Sequence, residues 1–340
     1  AYNGPFKISY FQNGSKLILS KNSSYWDAKS VKLNKITMLF LKDENSRMNA
    51  LLSGQIDMVG ASKQEWIDKF NKTNKFVETK SDQPDVHFNV FNTKNKYFKN
   101  AKIRKAFSLV IDKQNFFKTI AKGIGRTAYG WVPYSLQIGD SEYRDKVPEE
   151  LKNDSGDAKE LLKEGLSEIG ADPDPSKIDV KYLLPGTDSI NKDEGDLVMN
   201  ALKTKLGVNI KCDFKEWGEF MTAQDNGDYD FCFNDWVADY NDPMTFFDLF
   251  ETNADMLHDG WSNKDYDSLI DDAKNTMDQS KRLEDFKKAE EILIKDDYVV
   301  TPLYYAGNVE FTAKYIKGAE APLFSSGEEL KYAYVVGKGK

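Results

Sequence analysis

The sequence is poor in the residues on which most site chemistry depends. Cys212 and Cys232 are its only cysteines, and His87 and His258 its only histidines. A His-rich zinc site cannot be assembled from so few imidazoles. One cysteine pair is no disulfide framework either; both thiols fall in apolar, strand-like stretches, where packed, free thiols are the expectation. Guanidinium groups are limited to Arg47, Arg104, Arg126, Arg144 and Arg282, which leaves few candidates for bidentate anion clamps. No apolar run approaches the roughly 18 residues that would suggest a membrane span. The net charge of -8 opposes long-range attraction to nucleic acid or anionic lipid.

Motifs of the common hydrolases and nucleotide-binding enzymes are missing too. There is no Gly-x-Ser-x-Gly elbow, no His-Glu-x-x-His helix and no complete phosphate loop. "GIGR" at Gly123 to Arg126 lacks a third glycine and reads as a turn. The acidic "DNGDYD" around Gly227 fails the twelve-residue calcium-loop spacing and reads as a solvated turn. No metal and no cofactor are expected. The start of the chain, "GPFKISYF", reads as a strand and not as a charged and then apolar leader, so location is not legible from targeting signals.

What is present is a long chain with clear patterning. At 340 residues it can bury a large core, and two lobes are expected over one. Ile178, Val180, Tyr182 and Leu184 alternate at the strand period before Pro185-Gly186. Leu197, Val198, Ala201, Leu202 and Leu206 recur at helical spacing, Gly207 supplies a stop, and Val208, Ile210, Cys212 and Phe214 alternate again. This is a β-α-β unit, whose ligand crevice belongs at the carboxyl ends of its parallel strands. A third strand over Tyr229 to Phe233 would deliver the loop "NDWVADYNDP" to that crevice. Further helices are expected after Asn100, around Leu161 to Leu166, and through Leu283 to Leu293. Strand-like stretches at Phe6 to Tyr10, Ile36 to Leu41 and Val299 to Tyr305 suggest a chain that leaves one lobe and returns to it.

Several ordered segments carry a resemblance. "GPFKI" with "KNSSYW" (Asn22, Tyr25, Trp26), "SRMNALLSGQIDM" (Arg47, Gly54, Asp57), "FKNAKIRKAFSLVIDKQNF" (Arg104, Ala106, Asp112), "GRTAYGWVP", "DFCFNDWVADYNDP" and "TPLYY" follow one another. In that order they resemble the family 5 solute-binding proteins of bacterial ABC transporters, the dipeptide and oligopeptide receptors. The resemblance implies an α/β fold of the periplasmic-binding-protein-like type II, bilobed, with the first lobe incomplete because a preceding stretch is missing. The implied organisation is a partial lobe I over 1–86, lobe II over 87–298, and a return to lobe I over 299–340, with hinge crossings near 85–88 and 299–302.

The function it implies is non-catalytic: an oligopeptide held in an interlobe cleft and delivered to ABC transporter permease subunits. The protein would be extracytoplasmic and monomeric, touching the membrane only through a lipid anchor absent from this chain. Asp239 resembles the family aspartate that pairs with the ligand's α-ammonium. Trp236 and Trp217 would wall side-chain pockets, Tyr240 and Asn241 flank the aspartate, and either Tyr304 or Tyr305 would face the cleft. Receptors of short peptides place basic residues near this region to meet the carboxylate, whereas the matching positions here are Gln224 and Phe233; short-peptide specificity is therefore not expected. A non-peptide solute on the same fold, such as a metal chelate or an opine, is the main alternative. A hydrolase using the clustered Asp235, Asp239 and Asp242 is the weaker one.

Overall fold

The structure, a computed structural model, describes residues 2–252, 254, 256–324 and 329–338. It divides into two compact units, one of residues 1–81 with 308–340 and one of residues 82–307.

The first unit opens with β1 (Phe6–Gln12), β2 (Lys16–Lys21) and β3 (Lys35–Leu39), an antiparallel sheet in that order. Asn22 holds the entry to β1 by donating its side-chain amide to Gly4 O at 2.9 Å. Helix α1 (Glu44–Ser53) is capped by Asp43, which accepts from the Ser46 amide, and closes at Gly54 in the left-handed conformation. Then come β4 (Met58–Gly60) and α2 (Gln64–Thr73). The chain passes into the second unit along β5 (Phe76–Phe91).

In the second unit α3 (Ala101–Leu109) starts at Asn100, whose side chain accepts from the amides of Lys102 and Ile103, and α4 (Lys113–Ile120) starts at Asp112, which accepts from Asn115. β6 (Gly125–Thr127), β7 (Gln137–Ile138), β8 (Ser141–Glu142), α5 (Tyr143–Lys146) and α6 (Ala158–Glu168) follow. The β-α-β unit is β9 (Lys181–Pro185), α7 (Ser189–Leu206) and β10 (Lys211–Lys215), with Gly207 ending the helix at φ 77°. Helix α8 (Trp217–Asp225) leads to β11 (Phe231–Val237). Three helices, α9 (Met244–Phe247), α10 (Lys264–Lys274) and α11 (Gln279–Glu291), precede β12 (Val300–Ala313), along which the chain returns to the first unit and to the short pair β13 (Ile316–Lys317) and β14 (Tyr334–Val335).

The strands of the second unit are ordered β10-β9-β11-β5-β12, with β6 beside β12. β10 and β11 run parallel to β9, while β5 is antiparallel to β11. The carboxyl ends of β9, β10 and β11 therefore share one edge. Under the sheet lies an apolar core that includes Phe91, Phe98, Phe107, Phe231, Val198 and Leu202. Phe98 packs edge-on against Phe107 at 5.0 Å between centroids.

One sequence reading shifts. The third strand was expected to stop at Phe233, with a loop beginning at Asn234. β11 continues four residues further because Asn234, Asp235, Trp236 and Val237 pair in register with Phe88, His87, Val86 and Asp85 of β5. A stretch opened by Asn234 and Asp235, which disfavour strands, is thus held extended by its cross-strand partner. The family signature residues have structural work: buried Arg104 donates to the carbonyls of Phe98 (2.6 Å) and Asp297 (2.8 Å), and Arg47 donates to Leu41 O (3.0 Å) and Lys42 O (2.9 Å). Cys212 and Cys232 are free thiols. In the acidic turn, Asp230 accepts from the Lys181 amide at 2.7 Å and from Asn95 at 2.6 Å. No group of three metal-ligating side chains occurs among the described residues.

Candidate ligand-binding site

The loop after β11 sits at the edge shared by the carboxyl ends of β9, β10 and β11. Its backbone is pinned: the Ala238 amide donates to Pro84 O at 2.8 Å and the Asp239 amide to Thr245 Oγ1 at 3.2 Å. Asp242 is consumed by Arg282 in a two-pronged ion pair with both bonds at 2.9 Å. Asp239 differs. Its side chain is exposed, and its carboxylate has no hydrogen bond or ion pair among the described residues. A fixed backbone carrying a free carboxylate is suited to an external cation.

The aromatic residues sort by position. Trp217 opens α8 just past β10, is 59% exposed, and stacks on Phe220 at 5.7 Å. Tyr240 is exposed and donates its hydroxyl to Asp248 at 3.3 Å; burial of that hydroxyl and the neighbouring Asp248 push its pKa up. Asn241 is exposed and accepts from the Gln137 amide at 2.9 Å. Trp236 is half-buried, and its indole Nε1 is buried with no hydrogen-bond partner among the described residues. Tyr304 and Tyr305 point to opposite sides of β12, as neighbours on a strand must. Tyr305 is fully buried, its hydroxyl bonded to Gly130 O (3.0 Å) and Glu149 (3.1 Å), so it has no surface for a ligand. Tyr304 stacks on His87 at 4.2 Å with a 12° interplanar angle.

The positions corresponding to a carboxylate clamp offer no charge. Gln224 is buried and accepts from Asn234 at 3.0 Å, and Phe233 is buried and stacks on His87 at 5.7 Å.

Sequence reasoning passed over a polar group on one side of this sheet. Asp85, His87 and Asn89 alternate along β5 and so share a face, and Asp235 lies directly opposite His87 on β11. His87 Nε2 stands 3.4 Å from Asp85 Oδ2. Glu194 of α7 is coupled electrostatically to Asp235 and Tyr304. Burial, reinforced by Asp188 and Asp235, pushes the Glu194 pKa up to about 8. Burial also raises that of Asp235, with His87 opposing and Asp85 adding to the rise. The signal in the sequence was the alternation Asp-x-His-x-Asn over residues 85–91 of β5, whose other residues there are Val and Phe.

Taken together, the architecture is that of an α/β, type II periplasmic-binding-protein-like chain. It belongs to the bacterial extracellular solute-binding proteins of family 5: the model described as "Bacterial extracellular solute-binding proteins, family 5 Middle" matches residues 1–257. The chain is 30% identical over 326 residues to the oligopeptide-binding protein OppA of Bacillus subtilis strain 168, covering 94% of this chain and 58% of that protein. It is 29% identical over 317 residues to the dipeptide-binding protein DppE of the same organism, covering 93% and 57%. Among solved structures, Listeria monocytogenes OppA bound to peptide superposes with a TM-score of 0.81 at 28% identity, covering 98% of this chain and 64% of that one. The chain thus spans under three fifths of the length of these two curated relatives. No helix among the described residues is long and apolar enough to cross a membrane.

Proposed function

We propose that this chain acts outside the cytoplasm as substrate-binding receptor for an ABC importer, taking oligopeptides and pairing their free α-ammonium with Asp239. The observation that carries this reading is the unspent, exposed carboxylate of Asp239 on a loop whose backbone is fixed on both sides. Neighbouring Asp242 shows the contrast, since its charge is already committed to Arg282. A charge-assisted bond of this type contributes roughly 1.5–3 kcal/mol. Exposed Trp217 and Tyr240 at the same strand edge offer apolar walls for ligand side chains without demanding a particular sequence.

The names of the relatives, oligopeptide- and dipeptide-binding proteins, favour a peptide over a metal chelate or opine. The neutral character of Gln224 and Phe233 favours peptides whose carboxyl end is met elsewhere over a tightly clamped dipeptide. The test is a calorimetric titration of one peptide with and without N-acetylation, on the natural protein and on Asp239→Asn. Acetylation and the substitution should each weaken binding about tenfold or more, and together little more than either alone. Equal affinity for the free and acetylated peptides sinks the ammonium anchor, and peptide turnover in the same cell revives a hydrolase.

A further inference from the structure

The second unit holds a cavity of about 310 Å³ that shares no residue with the candidate ligand-binding site. Its lining includes Leu109, Ile111, Lys113, Tyr129, Leu151 and Asp154, and it opens to solvent beside the exposed Asp112 and Gln114. The walls are tied together. Asp154 accepts from Lys105 at 3.3 Å and from the hydroxyl of buried Tyr298, and the Leu151 amide donates to Tyr129 O at 2.9 Å.

Lys113, the first residue of α4, stands apart in this setting. It is half-buried, its Nζ donates to Ala128 O at 3.3 Å, and the Tyr129 ring lies 5.4 Å away. Among the described residues no carboxylate forms an ion pair with it, whereas Lys105 is paired with Asp154. An ammonium taken from water without a paired anion is costly, so the neutral amine gains. Burial pushes Lys113 from the ordinary 10.5 down to about 7, against the pull of Glu149 and Asp154. Roughly half of these amines then carry a free electron pair at pH 7, against about one in a few thousand for an ordinary lysine.

A desolvated lysine amine beside an open cavity is a nucleophile suited to carbonyl compounds. Leu109, Ile111, Leu151 and the Tyr129 ring offer walls to a hydrocarbon body. Asp112, Glu149 and Asp154 around the amine oppose an anionic reactant.

We propose that Lys113 is a covalent modification site, at which a small neutral aldehyde entering this cavity condenses with the amine. Nζ bonds to the carbonyl carbon while the carbonyl oxygen takes up a proton that the nitrogen releases. The C–O bond then breaks, the nitrogen gives up its second proton, and the oxygen leaves as water. Amine and aldehyde become imine and water, with nothing oxidised or reduced.

The test treats the 340-residue chain at pH 7 with limiting propanal and with cyanoborohydride, which fixes the imine as a stable secondary amine. Adducts at each lysine are then quantified by peptide mass spectrometry, in buffer and in concentrated urea. Lys113 should carry about tenfold or more adduct than Lys105 in the folded chain, and the two should level in urea. Glyoxylate, an anionic aldehyde of similar size, should show a severalfold smaller preference for Lys113. Equal labelling of Lys113 and Lys105 in the folded chain, or a preference that persists in urea, overturns the site. A preference as strong with glyoxylate as with propanal overturns the assignment to neutral aldehydes.

Discussion

Replacing Glu194 by glutamine tests the electrostatics of the second unit without any ligand. In the folded protein burial and the carboxylates of Asp188 and Asp235 push this glutamate from the ordinary 4.5 up to about 8. Between those two pH values the folded chain holds a proton that the unfolded chain has released. Stability therefore falls as pH rises from about 4.5 to about 8, and the loss is complete above that window. At ~1.4 kcal/mol per pH unit the gap corresponds to a ceiling of roughly 5 kcal/mol, lowered by whatever water and relaxation reach the site. Glutamine carries a similar shape and no titration, so this slope should vanish in Glu194→Gln. Urea unfolding at pH 5, 7 and 8.5 would show a variant that gains on the natural protein as pH rises, by about 2 kcal/mol or more across the series. Parallel stability curves for the two proteins would refute the reasoning, because they would mean that Glu194 is solvated or already neutralised.

Three further outcomes follow from the packing. Arg144 and Glu290 form a fully buried ion pair, and Glu290 also accepts from the Trp131 amide and, at 3.0 Å, from Tyr143 Oη; Glu290→Ala should cost about 3–5 kcal/mol in urea unfolding because it strands the guanidinium. Gly125 has φ 104° and a Cβ there would stand 2.2 Å from Tyr305 O, so Gly125→Ala should prise β6 from β12 and lower the melting temperature by several degrees, at about 2 kcal/mol or more. Burial pushes the Cys212 thiol up to about 11 and raises the fully buried Cys232 thiol as well, so at pH 8 a maleimide should label the native chain slowly and both thiols rapidly in urea. Fast native labelling would contradict the packing of β10 and β11.

Much of the second unit was readable from period alone. The β9-α7-β10 sequence pairs apolar alternation with a helical stripe and a closing Gly207, and the structure has the parallel unit those features demand. Asn100 announced α3 because its short side chain serves backbone amides that nothing else in the helix can satisfy. The end of β11 was not legible, since Asn234 and Asp235 disfavour a strand locally and are held extended by pairing with β5, some 150 residues earlier. The same holds for the candidate site. Asp239 stood out through its motif, but its free carboxylate is known only once Arg282 is seen to have taken Asp242 instead. The polar patch needed the strand register, because Asp235 and His87 come opposite each other on strands more than one hundred residues apart in the chain. Tyr304 and Tyr305 could not be separated by sequence, as alternation says only that they face opposite sides; the structure buries both.

β11 places Phe233, Asp235 and Val237 on one side and Asn234 and Trp236 on the other. This arrangement separates two kinds of change. Substitutions at the odd positions alter the acidic side, while those at the even positions alter packing on the reverse, and neither set need wait for the other. A single inserted residue in this strand would exchange the two sides at once. Divergent members of the family should therefore vary here by replacement at alternate sites, with strand length held constant.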